Sequence, residues 1–152
     1  METTRDFDYT MIKELIRASS QETSVYVGCD SQIKGSVTDF VLVIIVHHDS
    51  KHGAKIFHSH RKETRRMPLR ERLWQEVYMA TEAAFQIVDA VGMRPMQIHL
   101  DLNTDEKHKS SLIVKEAIAY VRGSGFEVRV KDKKNPGASF AASYAADHYV
   151  KS

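Results

Sequence analysis

Apolar and polar positions alternate along this chain with two periods, one typical of helices and one typical of strands. Segments in which apolar residues recur every three to four positions predict α-helices. These segments are Asp8–Ala18, Leu69–Val91, Ser110–Arg122 and Ala138–Val150. Short runs rich in Val and Ile between turn-forming residues predict β-strands. These runs are Ser24–Asp30, Asp39–His48, Ala54–Glu63, Gln97–Asn103 and Phe126–Val130.

The connections between these segments predict how the strands are arranged. The first three strands follow one another through short turns, the first of them between Ser31 and Thr38 around Gly35, so they must run antiparallel. The last two strands alternate with helices and should run parallel to the first. The order α, β-β-β, α, β, α, β, α therefore predicts an α/β fold in which a mixed five-stranded sheet has helices on both faces.

Composition changes this picture little. The 152 residues suffice for one domain with a core, and we divide them into an N-terminal helix and linker (1–23) and a single globular unit (24–152). The one cysteine excludes an internal disulfide, and the longest apolar run, Phe40–Val46, is too short to cross a bilayer. With no recognisable signal peptide, the chain is expected to be cytoplasmic. Its net charge of +2 permits nucleic-acid binding without requiring it.

Two acids stand at the ends of predicted strands. Asp30 ends the first strand, and Asp101 lies near the end of the fourth. In an open α/β sheet, ligands gather outside the carboxyl ends of the strands. Two carboxylates on neighbouring strands would form an oxygen-rich pocket, which suits Mg²⁺ or Mn²⁺ better than a soft metal. This donor type points to phosphodiester chemistry.

Helical phase selects two further acids. Glu76 lies at the edge of the apolar stripe of the long helix, whereas Glu71 is about 160° away from Leu73 and should face solvent. Asp147 shares a face of the last helix with Tyr144, beside small alanines that allow a close approach to the sheet. Four converging carboxylates would repel one another, and a bound pair of divalent ions would relieve that repulsion.

Five segments of the chain resemble a known family. They are VYVGCDSQ, LRERLWQEVY, IHLDLN, AIAYVRGSGFEVRVK and AASYAADHYVK, and they run from about Ser24 to the C-terminus. In this order they are similar to the YkuK-like branch of the ribonuclease H-like superfamily. The resemblance implies a ribonuclease H-like sheet with strand order 3-2-1-4-5, the second strand antiparallel, and a nuclease-like site that holds divalent metal ions.

The resemblance also implies a role for each of the four acids. Asp30 matches the acid on the first strand and Asp101 the acid on the fourth strand. Glu76 matches the acid of the first core helix, and Asp147 matches that of the last helix. The loop 131–137 departs from the family pattern because it is richer in lysine. The resemblance therefore does not determine how the substrate is bound.

Each acid also has a simpler interpretation. Asp30 can cap a turn, and its neighbour Ser31 can either cap the same turn or orient a metal-bound water. Asp101 can be an acid at the entry of a loop. Glu76 can be a solvated helix residue, and Asp147 can pair with the lysine four residues later. The four acids nevertheless fall where one fold needs them, which favours the joint interpretation.

Two basic clusters are candidate contacts for phosphates, although a solvated charged surface explains them equally well. The first, which leads into the long helix, comprises Arg61, Lys62, Arg65, Arg66, Arg70 and Arg72, and the second, after the last strand, comprises Lys131, Lys133 and Lys134. His58 and His60 alternate onto one strand face, where an exposed polar role is favoured over a zinc site. Cys29 and His99 are predicted to be core residues.

These patterns predict a nuclease that uses Mg²⁺ or Mn²⁺ to hydrolyse RNA, an RNA–DNA hybrid or branched DNA. The main alternative is a non-catalytic module of the same fold that binds nucleic acid or a protein. A nucleotide-binding protein is disfavoured, because the sequence has neither a Walker A loop nor a Gly-rich phosphate loop. The sequence leaves the oligomeric state open.

Overall fold

A twisted sheet organises the computed structural model, which describes residues 3–48, 53–101 and 111–131. The strands of these residues are β1 Thr3–Arg5, β2 Ser24–Lys34, β3 Val37–His47, β4 Ala54–Glu63, β5 Met96–Asp101 and β6 Glu127–Lys131. The helices are α1 Tyr9–Ala18, α2 Leu69–Val91 and α3 Ser111–Gly123. Among these helices, none has both the length and the apolar character that crossing a bilayer demands.

The strand order confirms the predicted topology and adds one strand to it. The order is β1-β4-β3-β2-β5-β6, so the five predicted strands lie in the order 3-2-1-4-5. β3 is antiparallel to β2 and β4, whereas β5 and β6 are parallel to β2 and to each other. The sequence did not predict β1, because its residues are polar and are held only by antiparallel pairing at the edge of β4. The mixed five-stranded sheet is therefore confirmed, with a short sixth strand at its edge.

The first hairpin is longer than predicted. β2 continues to Lys34 and β3 begins at Val37, so the turn is Gly35–Ser36 and not the whole segment from Ser31 to Thr38. Gly35 has φ +61°, a left-handed conformation that glycine adopts at little cost and that tight hairpins require. Asp30 therefore lies inside β2 and does not end it.

The main core lies between one face of the sheet and the three helices. It includes Ile12 and Ile16 of α1, Val77 and Ile87 of α2, and alternate residues of β2, β3 and β5. Alternation along the strands follows from the pleat, which sends successive side chains to opposite faces. The other face holds a second apolar cluster of Val41, Val43 and Ile45. The helix predicted at 138–150 lies outside the described residues.

α1 belongs to the same core as the rest of the sheet. Ile12 and Ile16 are fully buried, and Asp89 of α2 contacts Lys13 at 2.9 Å and Arg17 at 3.1 Å. These two exposed ion pairs add little, since surface pairs are typically worth below about 1 kcal/mol. The apolar contact therefore contributes more than these ion pairs to holding α1 against α2. The division of the chain at residue 24 stays a prediction.

His99 is a buried polar residue on the second face of the sheet. It is fully buried, its ring centroid lies 4.9 Å from that of Tyr26, and its Nε2 is 3.2 Å from Oε1 of Gln97. Burial, aided by the positive charge of Arg129, lowers the pKa of His99 from 6.5 to about 4. The imidazole is therefore neutral in the folded protein at physiological pH, as its predicted core position requires.

Acidification is expected to destabilise the metal-free protein through His99. The unfolded chain binds a proton on this residue near pH 6.5, whereas the folded chain does so only near pH 4. The free energy of unfolding should therefore fall between these two pH values, by up to about 3 kcal/mol from this group. Urea unfolding at pH 7.5, 6, 5 and 4 measures the loss, and His99→Gln should flatten it. Identical pH profiles for the two proteins would contradict this assignment.

Candidate functional site

The two predicted strand acids lie on neighbouring parallel strands. The β2–β5 ladder runs from Val25, level with Met96, to Gly28, level with His99. His99 follows Gly28 by 71 residues, and Asp101 follows Asp30 by the same 71, so continuing the ladder brings Asp101 level with Asp30. For Asp101 the structure describes only the backbone. The prediction that the two acids stand on adjacent strands at one end of the β2–β5 pair is therefore confirmed for the backbone.

Glu76 is brought to the same end of the sheet by α2. It is only 6% exposed, and its Oε2 accepts a hydrogen bond of 2.5 Å from the Ser31 hydroxyl. Burial follows from helical phase, because Leu73 and Val77 on the same face pack into the core. Glu71 points the other way and pairs with Arg65 at the surface, as the phase predicts. The alternative that Glu76 is a solvated helix residue is thus wrong.

Cys29 lies close enough to both Asp30 and Glu76 for their negative charges to affect its pKa. Its pKa is raised well above the usual value, first by burial, then by the negative charge of Glu76, and then by that of Asp30. Cys29 is 2% exposed and belongs to the main core, so Asp30, the next residue of the strand, is assigned to the other face. The two acids therefore approach β2 from opposite faces, just beyond its last ladder pair with β5.

A small apolar cavity isolates Glu76 on the side of α3. The cavity measures about 20 Å³, which is room for about one water molecule. Its walls are apolar apart from Glu76, and they include Leu73, Leu100 and Ala117. Access to the carboxylate from outside is therefore expected on the opposite side, where Ser31 lies.

A wide groove of about 570 Å³ opens beside Ser31. The lining residues come from the end of β2 and from the loop and first turn of α2: Ser31, Gln32, Ile33, Arg66, Met67, Pro68, Leu69 and Arg72. Two of them are arginines, so the groove is cationic. Because Ser31 both lines the groove and contacts Glu76, the groove leads to the acid.

Thr38 fixes the loop that carries the groove's first arginine. The buried hydroxyl of Thr38 donates to the carbonyl of Arg65 at 2.8 Å and accepts from the backbone N–H of Met67 at 2.9 Å. Arg66, between those two residues, donates from Nη1 to the carbonyl of Gly35 at 2.9 Å. The Arg66 guanidinium therefore connects the loop before α2 to the β2–β3 hairpin turn at the edge of the groove.

The other predicted basic residues differ in what surrounds them. Arg65 forms a two-pronged contact with Glu71, one prong at 2.9 Å, which offsets much of its charge. Arg70 is exposed on the first turn of α2. Lys131 ends β6, where its backbone is level with that of Asp101. The predicted residues Lys133, Lys134 and Asp147 lie outside the described residues.

The chemistry of the described donors fits a hard cation. Of the four predicted acids only Asp30 and Glu76 have described side chains, and among such side chains no cluster of three His, Cys, Asp or Glu could hold a metal ion. Carboxylate and hydroxyl oxygens next to each other are the donors that Mg²⁺ and Mn²⁺ prefer. His58 and His60 lie elsewhere, on β4, with ring nitrogens 3.1 Å apart.

One residue of this site was not predicted in the role that it occupies. Ser31 was assigned to a turn or to a metal-bound water, but it contacts Glu76, which lies 45 residues further along the chain. Arg72, one of the basic residues named as candidate phosphate contacts, lines the groove. Extending β2 by alternation would have put Ser31 on the α2 face, which is the available signal for it.

Comparisons with known proteins agree with this fold. A family model described as Ribonuclease H-like matches residues 9–151, nearly the whole chain. No curated protein matches the sequence.

Solved structures of related description were also found, all at low identity. One is RNase H1 from the archaeon Halobacterium salinarum NRC-1, with 16% identity and a TM-score of 0.40 over 82% of this chain and 98% of that one. Another is the N-terminal RNase H domain of a Mycobacterium tuberculosis protein fused to maltose-binding protein, with 10% identity and a TM-score of 0.38 over 82% of this chain and 94% of that one. A third is the prototype foamy virus protease-reverse transcriptase, with 12% identity and a TM-score of 0.40 over 85% of this chain and 21% of that one. Because every TM-score is below 0.5, the family assignment rests on the sequence match alone.

Proposed function

Because this chain belongs to the ribonuclease H-like family, we propose that it is a divalent-metal-dependent nuclease that hydrolyses phosphodiester bonds in RNA, an RNA–DNA hybrid or branched DNA. The observation that carries the proposal is the buried Glu76 carboxylate, held by Ser31 beside Asp30 at the end of a cationic groove. A buried carboxylate is costly unless a cation or strong donors compensate it. A metal site at this point supplies such compensation.

Four carboxylates of this chain are the proposed ligands of Mg²⁺ or Mn²⁺. They are Asp30, Glu76, Asp101 and Asp147. When bound, such ions supply an activated water and stabilise the leaving oxygen of an in-line displacement. The residues themselves hold the ions and orient the phosphate, and no protein nucleophile is needed. Cys29 is unsuited to that role, because it is buried in the core and its raised pKa keeps it a thiol.

The groove is the proposed path of the nucleic-acid backbone toward the carboxylates. Arg66 and Arg72 line it, and the exposed Arg70 lies on the adjoining turn of α2. Guanidinium groups bind phosphate oxygens through paired N–H donors. Lys131, Lys133 and Lys134 complete the proposed set of main phosphate contacts, and Arg65, whose charge is offset by Glu71, is a weaker one.

Two finer assignments belong to the same proposal. We place the chain in the YkuK-like branch on the strength of segments such as VYVGCDSQ and IHLDLN, which carry Asp30 and Asp101. We place its activity in the cytoplasm, since a single buried cysteine suits a reducing compartment.

A cleavage panel tests the proposal. Single-stranded RNA, RNA–DNA hybrid, single-stranded DNA and a four-way junction are each incubated with Mg²⁺, Mn²⁺ or EDTA, with Asp30→Asn as the control protein. Cleavage that needs the metal and is lost in the control supports a nuclease and identifies its substrate. Salt-dependent binding without cleavage of any substrate would instead indicate a non-catalytic nucleic-acid-binding module.

Replacing Arg66 by alanine is expected to weaken nucleic-acid binding more than replacing Arg65. Arg66 stands at the groove, whereas the charge of Arg65 is already offset by Glu71. In an Asp30→Asn background, which prevents cleavage, Arg66→Ala should reduce the slope of log affinity against log salt by about 1. Fluorescence anisotropy at several salt concentrations measures that slope. Equal slopes for Arg66→Ala and Arg65→Ala would place the backbone path elsewhere.

A further inference from the structure

Ser31 and Glu76 form a buried side-chain contact between β2 and α2. The two residues are 7% and 6% exposed, and the hydroxyl oxygen is 2.5 Å from Oε2 of the carboxylate. A hydrogen bond from a hydroxyl to a carboxylate is short and about twice as strong as one between neutral groups. The contact is thus a strong restraint on the direction of the Glu76 side chain.

Turn capping does not account for this hydroxyl. Ser31 lies within the β2–β3 ladder, where it is level with Phe40, and the turn itself is formed by Gly35 and Ser36. The hydroxyl donates across to α2 rather than to the backbone of the turn. Ser31 therefore acts on Glu76.

β2 is also the strand that carries Asp30. Successive residues of a strand point to opposite faces, so Asp30 and Ser31 project from β2 in opposite directions at a fixed spacing. Through the Ser31 hydroxyl, the position of the Glu76 carboxylate is tied to the same strand as the Asp30 carboxylate. One backbone segment thus sets the places of two acids that belong to different elements.

We propose that Ser31 is a positioning residue, whose hydroxyl holds the Glu76 carboxylate in the direction that a divalent metal ion requires. This inference rests on the proposed metal site. A free glutamate side chain turns about three bonds, and ordering it when the ion binds costs conformational entropy. A hydroxyl that orders it beforehand removes part of that cost. Partners of this kind typically contribute about 10–100-fold to metal affinity.

A pair of variants isolates the hydroxyl from the shape of the side chain. Thr and Val have nearly the same shape, and both suit a β-strand. Ser31 borders the wide groove, which gives space for the added methyl group. Ser31→Thr keeps the donor and Ser31→Val removes it, so a difference between them reports on the hydrogen bond. Thr81→Ala is the matched control, because it also deletes a buried hydroxyl. Thr81 lies in α2, and its hydroxyl donates to the carbonyl of Val77 at 2.8 Å.

Binding of Mn²⁺, followed by electron paramagnetic resonance of the free ion, gives a readout independent of cleavage. Wild type, Ser31→Thr and Thr81→Ala are expected to bind with similar dissociation constants, and Ser31→Val and Ser31→Ala about 10–100-fold more weakly. Thermal melting of the metal-free proteins, followed by circular dichroism, shows that each variant is folded.

Two results would overturn the inference, and they differ in what else they overturn. If wild type binds Mn²⁺ and Ser31→Val and Ser31→Ala bind it equally well, Ser31 has no positioning role while the metal site stands. The same conclusion follows if Ser31→Thr is as weak as Ser31→Val, since shape rather than the hydroxyl then matters. If folded wild type binds no Mn²⁺ at millimolar concentration, the metal site fails and the inference fails with it.

Discussion

Asp30→Asn and Glu76→Gln are each expected to lower the rate of Mg²⁺-dependent cleavage about 10³-fold. Each substitution removes one negative charge and leaves a side chain of nearly the same size. A metal ion in such a site stabilises the transition state by several kcal/mol, and about 4 kcal/mol corresponds to 10³ in rate. Steady-state cleavage of the preferred substrate at saturating Mg²⁺ measures the effect.

The fold should survive both substitutions. The amide oxygen of Gln at position 76 can still accept the hydrogen bond from Ser31, and no charge is then left in the core. The metal-free Glu76→Gln protein should therefore melt at a temperature no lower than that of wild type. A loss of cleavage with an unchanged fold places the effect in the chemistry rather than in stability.

Glu82→Gln is the matched control for Glu76→Gln. Glu82 lies on the same helix, six residues further on, but it is exposed and contacts Gln86 at 3.1 Å. The same change of charge there should leave cleavage within about twofold of wild type, because exposed charges are screened by solvent and salt. Cleavage by Asp30→Asn or Glu76→Gln within tenfold of wild type would remove the acid concerned from the proposed metal site.

The sequence predicts α2 and β4 to the residue because strong signals bound them. Pro68 precedes α2 and Gly92 follows it, and 23 residues with an apolar stripe lie between. β1 is different, since its three residues, two of them strand-favouring threonines, are too few to form a recognisable alternation, and the strand is identified by its pairing with β4. The extension of β2 beyond Asp30 has the same origin, because pairing with β3 overrides a polar composition that is typical of a turn.

In the candidate site, too, some features follow from sequence patterns and others depend on tertiary contacts. The strand order that the resemblance implies was enough to place Asp30 and Asp101 on neighbouring strands, although Asp30 lies inside β2 and not at its end, and helical phase was enough to turn Glu76 inward. The contact between Ser31 and Glu76 depends on how closely α2 approaches β2, which no local pattern determines. The groove also depends on long-range contacts. It forms between the β2–β3 hairpin and the loop before α2, which the Thr38 side chain anchors.

Arg94 is the clearest residue that local patterns cannot explain. It follows α2, where a charged residue in a loop ordinarily faces solvent, yet it is only 8% exposed. Its guanidinium donates to the carbonyls of Ser19 at 2.7 Å and Ser20 at 3.0 Å, just after α1. It also donates to the carbonyls of Ala90 at 3.2 Å and Val91 at 3.3 Å, in the last turn of α2.

The guanidinium thus serves carbonyls at the C-terminal ends of both helices, and two of these carbonyls, Ser20 and Val91, also accept a backbone N–H. The last four carbonyls of a helix accept no hydrogen bond from a backbone N–H of that helix, and the helix dipole makes that end negative. A single planar cation with five N–H donors serves the two ends together. Arg94 therefore joins α1 to α2 by directed bonds, in addition to the apolar contact of Ile12 and Ile16.

Arg94→Ala is consequently expected to lower the free energy of unfolding by about 3 kcal/mol. The substitution removes the buried guanidinium that donates to the carbonyls of Ser19 and Ala90, and an unsatisfied buried group costs about 1–3 kcal/mol. Urea unfolding followed by circular dichroism measures the loss, and hydrogen exchange should show that α1 loses protection before the sheet does. Arg94→Lys should recover only part of the stability, because a compact ammonium cannot span both helix ends.

Arg122→Ala provides the comparison, since Arg122 is exposed in the last turn of α3. Removing that charge should change the free energy of unfolding by no more than about 0.5 kcal/mol, as surface substitutions usually do. If Arg94→Ala were as mild as Arg122→Ala, the apolar contact alone would hold α1 in place. If it is severe, the attachment of α1 depends on one buried cation, and α1 should detach in the variant while β2 and α2 keep Asp30 and Glu76 in place.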